Sequence, residues 1–168
     1  DSGAETVICL DTNFCYASEV SAGTGLKRII FTNLADLLPS WKRYLGVLFD
    51  KIPHGKVSPG KNVYSFKALL KHAPLKDRVE LDPWKDLSYI LYTGGTTGVS
   101  KGVILTHANL SKNVQQVVSW FPTFKKGEEI MLGALPFFHV FGLTTAMNFA
   151  IFMGWGDILV PRPQPEPL

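Results

Sequence analysis

Cysteine is scarce in this chain: Cys9 and Cys15 are the only two, and they do not form a C-x-x-C pair. That excludes a disulfide framework, argues against a structural zinc site and makes a reduced, cytoplasmic setting the default. Charge is thin as well. Only 18% of residues are charged and the net charge is +3; the basic excess is small and not gathered in one block, which argues against nucleic acid as the partner. Long apolar runs are missing too. The most apolar stretch, residues 135–153, is interrupted by Pro136, His139, Gly142, Thr144, Thr145 and Asn148, well short of the ~20 residues a membrane span needs. No internal repeat appears, and low complexity is confined to the proline-rich residues 161–168. What remains is ordinary globular composition, 46% hydrophobic over 168 residues, long enough for one core. The chain begins at Asp1 without a leader pattern and is expected to be a piece of a longer protein.

The densest chemical signal is Tyr92-Thr93-Gly94-Gly95-Thr96-Thr97-Gly98-Val99-Ser100-Lys101-Gly102, with four glycines, three threonines and a lysine. Glycine lets backbone N–H groups approach an anion, threonine hydroxyls add donors or reach a magnesium ion, and lysine supplies a full charge. Residues 87–92 before it and 103–106 after it read as strands, so the loop joins strand to strand. That setting excludes the P-loop pattern G-x-x-x-x-G-K-[ST], which needs a glycine before the lysine and a helix after it; Ser100 precedes Lys101 here. The plain reading of a glycine-rich hairpin without a ligand suits a lone Gly-Gly turn better than it suits this run.

The run resembles the phosphate loop of the adenylate-forming enzymes, usually Y-T-S-G-T-T-G-x-P-K-G: acyl-CoA synthetases, aryl-CoA ligases, luciferases and peptide-synthetase adenylation domains. Two positions depart from it. Gly94 stands in place of serine, as in the long-chain fatty acyl-CoA synthetase branch, and Ser100 stands in place of proline, which loosens the loop without removing a phosphate ligand.

Along the rest of the chain, residues 6–11 read as a parallel strand ending in an acid, residues 14–20 as a short helix and residues 28–32 as a second strand closing a βαβ unit. Asp11 and Asn13 lie at the strand's carboxyl end, where open sheets carry ligands, although a lone acid there is more often a turn-former. Pro39-Ser40 starts a helix over 39–53 with Trp41, Tyr44, Leu45, Leu48, Phe49 and Ile52 in one stripe and Lys42, Arg43 and Lys51 opposite. The plain reading packs it on its own domain; the alternative lays it on an anionic membrane surface or beside a lipid entrance. Residues 57–85 read as a surface connection with one short helix capped by Ser65, and their alternating charges as a solvated face. Thr106 or Asn109 caps a helix with Leu110, Val114, Val117, Val118 and Phe121 on one face, ended by Pro122. His107 in its first turn is read as a surface residue. Residues 128–135 read as another strand, residues 140–153 as a buried helix apolar nearly all round, and residues 154–160 as a turn and the next strand.

The second motif is Leu135-Pro136-Phe137-Phe138-His139-Val140-Phe141-Gly142. Alone, His139 reads as a hydrogen-bonded core histidine. Its place after the glycine loop, however, resembles the P-L-[FY]-H-x-[FY]-G element of the adenylate-forming family. That resemblance implies that Phe138 and His139 border the acyl and adenylate pockets. It covers residues 86–160, and weakly 1–35.

The resemblance implies an α/β fold, a mainly parallel sheet of five strands with helices on both faces, within the large amino-terminal AMP-binding domain. Residues 1–168 would be one fragment of it, residues 36–64 being an amphipathic helix plus surface connection, and the small carboxy-terminal domain absent. It implies activation of a long-chain fatty acid: the carboxylate attacks the α-phosphate of ATP, and coenzyme A then displaces AMP. The partners implied are fatty acid, ATP with Mg2+, and coenzyme A. Thr93, Gly94, Gly95, Thr96, Thr97, Gly98 and Lys101 would hold the phosphates, and Thr96 the metal. No complete catalytic set is expected, because the family's adenine-binding segment, ribose-holding aspartate, hinge arginine and catalytic lysine are not found after Val160. The fragment alone is therefore expected to be inactive, and to self-associate through uncovered apolar faces. Within the class, aryl-CoA ligases and peptide-synthetase domains share both motifs; outside it stand a non-catalytic nucleotide-binding module and a peripheral membrane module.

Overall fold

The computed structural model describes residues 2–94, 98 and 100–160, and the chain divides into two compact units, residues 1–78 and 79–168. In the first unit β1 (Thr6–Leu10), α1 (Phe14–Ser21) and β2 (Arg28–Thr32) form the expected βαβ unit, with the strands parallel and Ile8 opposite Ile30. Phe14 is buried at the start of α1 and meets Phe31 of β2 edge-on at 6.5 Å. A third parallel strand, β3 (Val63–Ser65), pairs with β2 and gives the order β1-β2-β3. The sequence reading placed a surface connection there, because three residues show no alternation and parallel pairing is specified from far away along the chain. Ser65 then caps the short α3 (Phe66–Leu69), its hydroxyl accepting from Ala68 N–H.

Between β2 and β3 lies α2 (Ser40–Leu48), shorter than the helix expected over 39–53. It stops because Asp50 adopts a left-handed φ of 49°, a conformation no helix interior tolerates. Ile52 consequently leaves the apolar stripe and folds back on Gly46. Among the described residues α2 buries none of its own, so nothing in this chain covers its apolar stripe.

In the second unit β4 (Leu87–Thr93) and β5 (Lys101–Thr106) form an antiparallel hairpin. Thr106 caps α4 (His107–Trp120) in a reciprocal capping box with Asn109, each supplying a partner to a backbone N–H that the first helical turn leaves open. Strands β6 (Ile130–Gly133) and β7 (Gly156–Leu159) pair in parallel across a crossover made of α5 (Val140–Gly142), a π-helical stretch (Leu143–Asn148) and α6 (Phe149–Met153). Val114 of α4 packs on Phe149 and Met153, with Trp155 stacked edge-on over Phe149 at 5.0 Å and held by its indole N–H on the Lys125 carbonyl at 2.7 Å. The crossover is not buried all round as expected: Ala146, Phe149, Ala150 and Met153 are buried, while Ile151 and Phe152 face outward.

The α/β class and the parallel pairing are therefore present. Among the described residues, though, the strands divide into three sheets rather than one five-stranded sheet. Among the same residues no helix is long and apolar enough to cross a membrane.

Candidate functional site

The glycine loop is framed by its hairpin. Thr93 and Lys101 face each other as the last pair of the ladder, and the Thr93 hydroxyl donates to the Lys101 carbonyl at 3.4 Å. A seven-residue connection leaves this pair, too long for the tight two-residue turns that would hold the backbone against itself. Gly98 has φ +85°, which aims its peptide in a direction an L side chain resists. Among the described residues nothing lies within 4 Å of where a Cβ would sit on Gly94 or Gly98. Lys101 is exposed at the root of β5. Of the seven expected phosphate ligands, the structure thus places Thr93, Gly94, Gly98 and Lys101 around one loop. Gly95, Thr96 and Thr97 lie outside the described residues, and with them the proposed metal contact at Thr96. Among the described residues no cluster of His, Cys, Asp or Glu could hold a metal ion.

The second motif forms the turn between β6 and α5. His139 caps α5 with its own ring: Phe141 N–H donates to Nδ1 at 3.2 Å, while His139 N–H donates to the Pro136 carbonyl at 3.1 Å. With Nδ1 accepting, a neutral ring carries its proton on Nε2 and presents a donor outward. Gly142 is buried, and a Cβ there would stand 2.3 Å from the Pro136 carbonyl oxygen, so only glycine lets α5 start this close to the turn. His139 is exposed rather than a core residue. Phe138, 87% exposed, lines an apolar cavity of about 450 Å³ with Leu135, Phe137, Leu159 and Val160 at the carboxyl ends of β6 and β7. His139 is not among its lining residues. No hydrogen bond or ion pair among the described residues joins this turn to the glycine loop.

A second cavity, of about 470 Å³, opens between Ser88 and Tyr89 of β4, His107, Ser111 and Gln115 of α4, and Asn148 at the end of the π-helical stretch. The sequence reading did not single it out as a site: His107 reads there as a surface residue, whereas it is half-buried and lines the cavity, and Asn148 stands out only as an interruption of an apolar helix. At the end of β1, Asp11 proves to be a turn-former: its carboxylate accepts from Thr12 N–H at 2.9 Å and Asn33 Nδ2 at 2.8 Å. Beside it burial, and secondarily the Asp11 charge, push the Cys9 thiol up from its ordinary value.

Three comparisons bear on this arrangement. A family model described as AMP-binding enzyme matches residues 1–167. The long-chain-fatty-acid–CoA ligase of Bacillus subtilis (strain 168) is 36% identical over 98% of the chain, and that of Escherichia coli O6:H1 is 33% identical over 99%; the chain spans 30% of each. A probable 4-coumarate–CoA ligase 1 of Dictyostelium discoideum is 38% identical over 52% of the chain and 16% of its own length. Among solved structures, apo MatB from Rhodopseudomonas palustris superposes with a TM-score of 0.67 at 23% identity, over 98% of this chain and 27% of that one. A red-emitting luciferase from Phrixothrix hirtus gives 0.66 at 20%, over 98% and 29%. Together with the strand-to-strand glycine loop, these matches establish the family: the chain belongs to the AMP-binding enzymes.

Proposed function

We propose that this chain is the phosphate-holding part of a long-chain fatty acid–CoA ligase. The observation that carries the reading is the hairpin that sets Thr93 opposite Lys101 at the two ends of the glycine run, in a chain that matches a long-chain-fatty-acid–CoA ligase at 36% identity over 98% of its own residues. The substrates are the fatty acid, ATP as its magnesium complex, and coenzyme A. The carboxylate oxygen attacks the α-phosphorus, the bond to the bridging oxygen breaks, and pyrophosphate leaves with that electron pair. Coenzyme A thiolate then attacks the acyl carbon and AMP departs. Charge grows on pyrophosphate in the first step, where loop N–H groups, Thr93 and Lys101 lower the barrier by electrostatics and by alignment. The cavity beside Phe138 supplies apolar wall for an acyl chain, and His139 Nε2–H a donor for an oxygen of the adenylate. Thr96 and Thr97 complete the phosphate contacts in this reading.

A cytoplasmic protein that meets its acyl substrate at a membrane surface through residues 39–53 fits the same reading, as does self-association of the 168-residue chain through its exposed apolar faces. The match to a probable 4-coumarate–CoA ligase over 52% of the chain favours one alternative, an aryl carboxylate in place of the fatty acid. The test is pyrophosphate release by the parent enzyme with palmitate and with 4-coumarate, each with ATP and coenzyme A. Palmitate-dependent release supports the proposal; release with 4-coumarate alone gives the site to the aryl acid. The isolated chain should form no hydroxamate-trappable adenylate.

A further inference from the structure

Gly102 closes the glycine run, yet unlike Gly98 it has no left-handed φ. Conformation therefore does not explain a glycine inside β5, where it weakens a strand. Space does. A Cβ on Gly102 would stand 2.9 Å from Ile90 Cγ2 and 3.4 Å from the Tyr92 ring, closer than the roughly 3.5–4.0 Å at which carbon atoms rest against each other. Ile90 and Tyr92 share one face of β4, and Tyr92 is the ladder partner directly opposite Gly102. Both side chains occupy the room that the missing Cβ leaves.

That room decides a register. Leu87 pairs with Thr106, but the ladder shifts by one residue before Tyr89, which pairs with Leu105, and from there Thr93 meets Lys101. Continued without the shift, the first register would carry Thr93 to Ser100, Tyr92 to Lys101 and Leu91 to Gly102. A slip of one residue turns the side chains of one strand to the other face, so Lys101 would then point away from Thr93. Only the shifted register puts the two on the same face, and that register sets Ile90 and Tyr92 over residue 102.

We propose that Gly102 is a positioning residue of this site: lacking a Cβ, it admits Ile90 and Tyr92 above β5 and so holds the hairpin in the register that sets Lys101 beside Thr93. The inference deepens the catalytic reading and rests on it for the effect on the reaction, while the geometry stands without it. In the 168-residue chain, nuclear Overhauser contacts between the Leu91 and Val103 side chains report the register. They should be lost in Gly102→Val and return in I90A/G102V, which removes the carbons that the new side chain meets and nearly conserves volume. An ordinary strand glycine predicts no such loss, since valine favours strands. In the parent enzyme, Gly102→Val should lower kcat for palmitate-dependent pyrophosphate release about 10- to 100-fold, the cost of misplacing a group by about an ångström. The KM for palmitate should stay unchanged, and I90A/G102V should recover most of the rate. Contacts that persist in Gly102→Val, a kcat that does not fall, or a double variant no better than the single one overturns the inference. A parent that releases no pyrophosphate with palmitate overturns the catalytic reading alone, because the contacts are read in the chain itself.

Discussion

At the scale of single residues, Lys101 is the side chain on which the proposed chemistry leans most. Lys101→Ala in the parent enzyme should lower pyrophosphate release about 100- to 1,000-fold, the usual effect of losing one group that meets developing charge; a change under threefold would remove Lys101 from the site. The two cysteines offer a check of the first unit. Burial and the Asp11 carboxylate raise the Cys9 thiol, which leaves less thiolate at neutral pH, whereas Cys15 is exposed. Iodoacetamide should therefore modify Cys15 first by peptide mass spectrometry. Asp11→Asn, removing the second cause, should lower the Cys9 value and speed its alkylation; equal rates at the two cysteines in the unaltered chain would contradict the packing around β1. His139 shows what a sequence hides. Its presence in the motif was readable, but not that its ring closes its own helix, since that depends on the turn Gly142 permits.

Among the elements, α4 is the best test of how the sequence writes its structure. Thr106→Ala removes one half of the capping box and should cost about 1 kcal/mol in thermal or denaturant unfolding. Phe149→Ala, beneath Trp155 and against Val114, should cost about 3–5 kcal/mol. The strands β1, β2, β4 and β5, helices α1 and α4 and the crossover before β7 were legible because their signals are local: alternation, caps and apolar spacing. Strand β3 was not, being three residues long and defined only by distant β2. The end of α2 was missed because the left-handed turn at Asp50 breaks an apolar spacing that continues unbroken through Ile52. The loop's frame could be read from its flanking strands. Its register, with Thr93 opposite Lys101, required the hairpin itself.

For the whole molecule, the boundary between the two units lies in residues 71–86, which carry Lys76 and Arg78 and no regular element. Brief trypsin treatment should cut there first and yield two fragments; initial cleavage within α4 or the first βαβ unit would count against that division. Among the described residues the strands pair into three sheets, and the length of the connection within each sets an expected order of assembly. Strands β2 and β3 find each other only after a crossover running from Thr32 to Val63, and β6 and β7 only after the whole helical passage, whereas β4 and β5 are joined by a seven-residue loop. Closing so short a loop takes far less time than pairing strands distant in sequence, and hairpins form within about 1–10 μs. The hairpin that presents Thr93 beside Lys101 is thus expected to pair first in its unit, before β6 and β7 close.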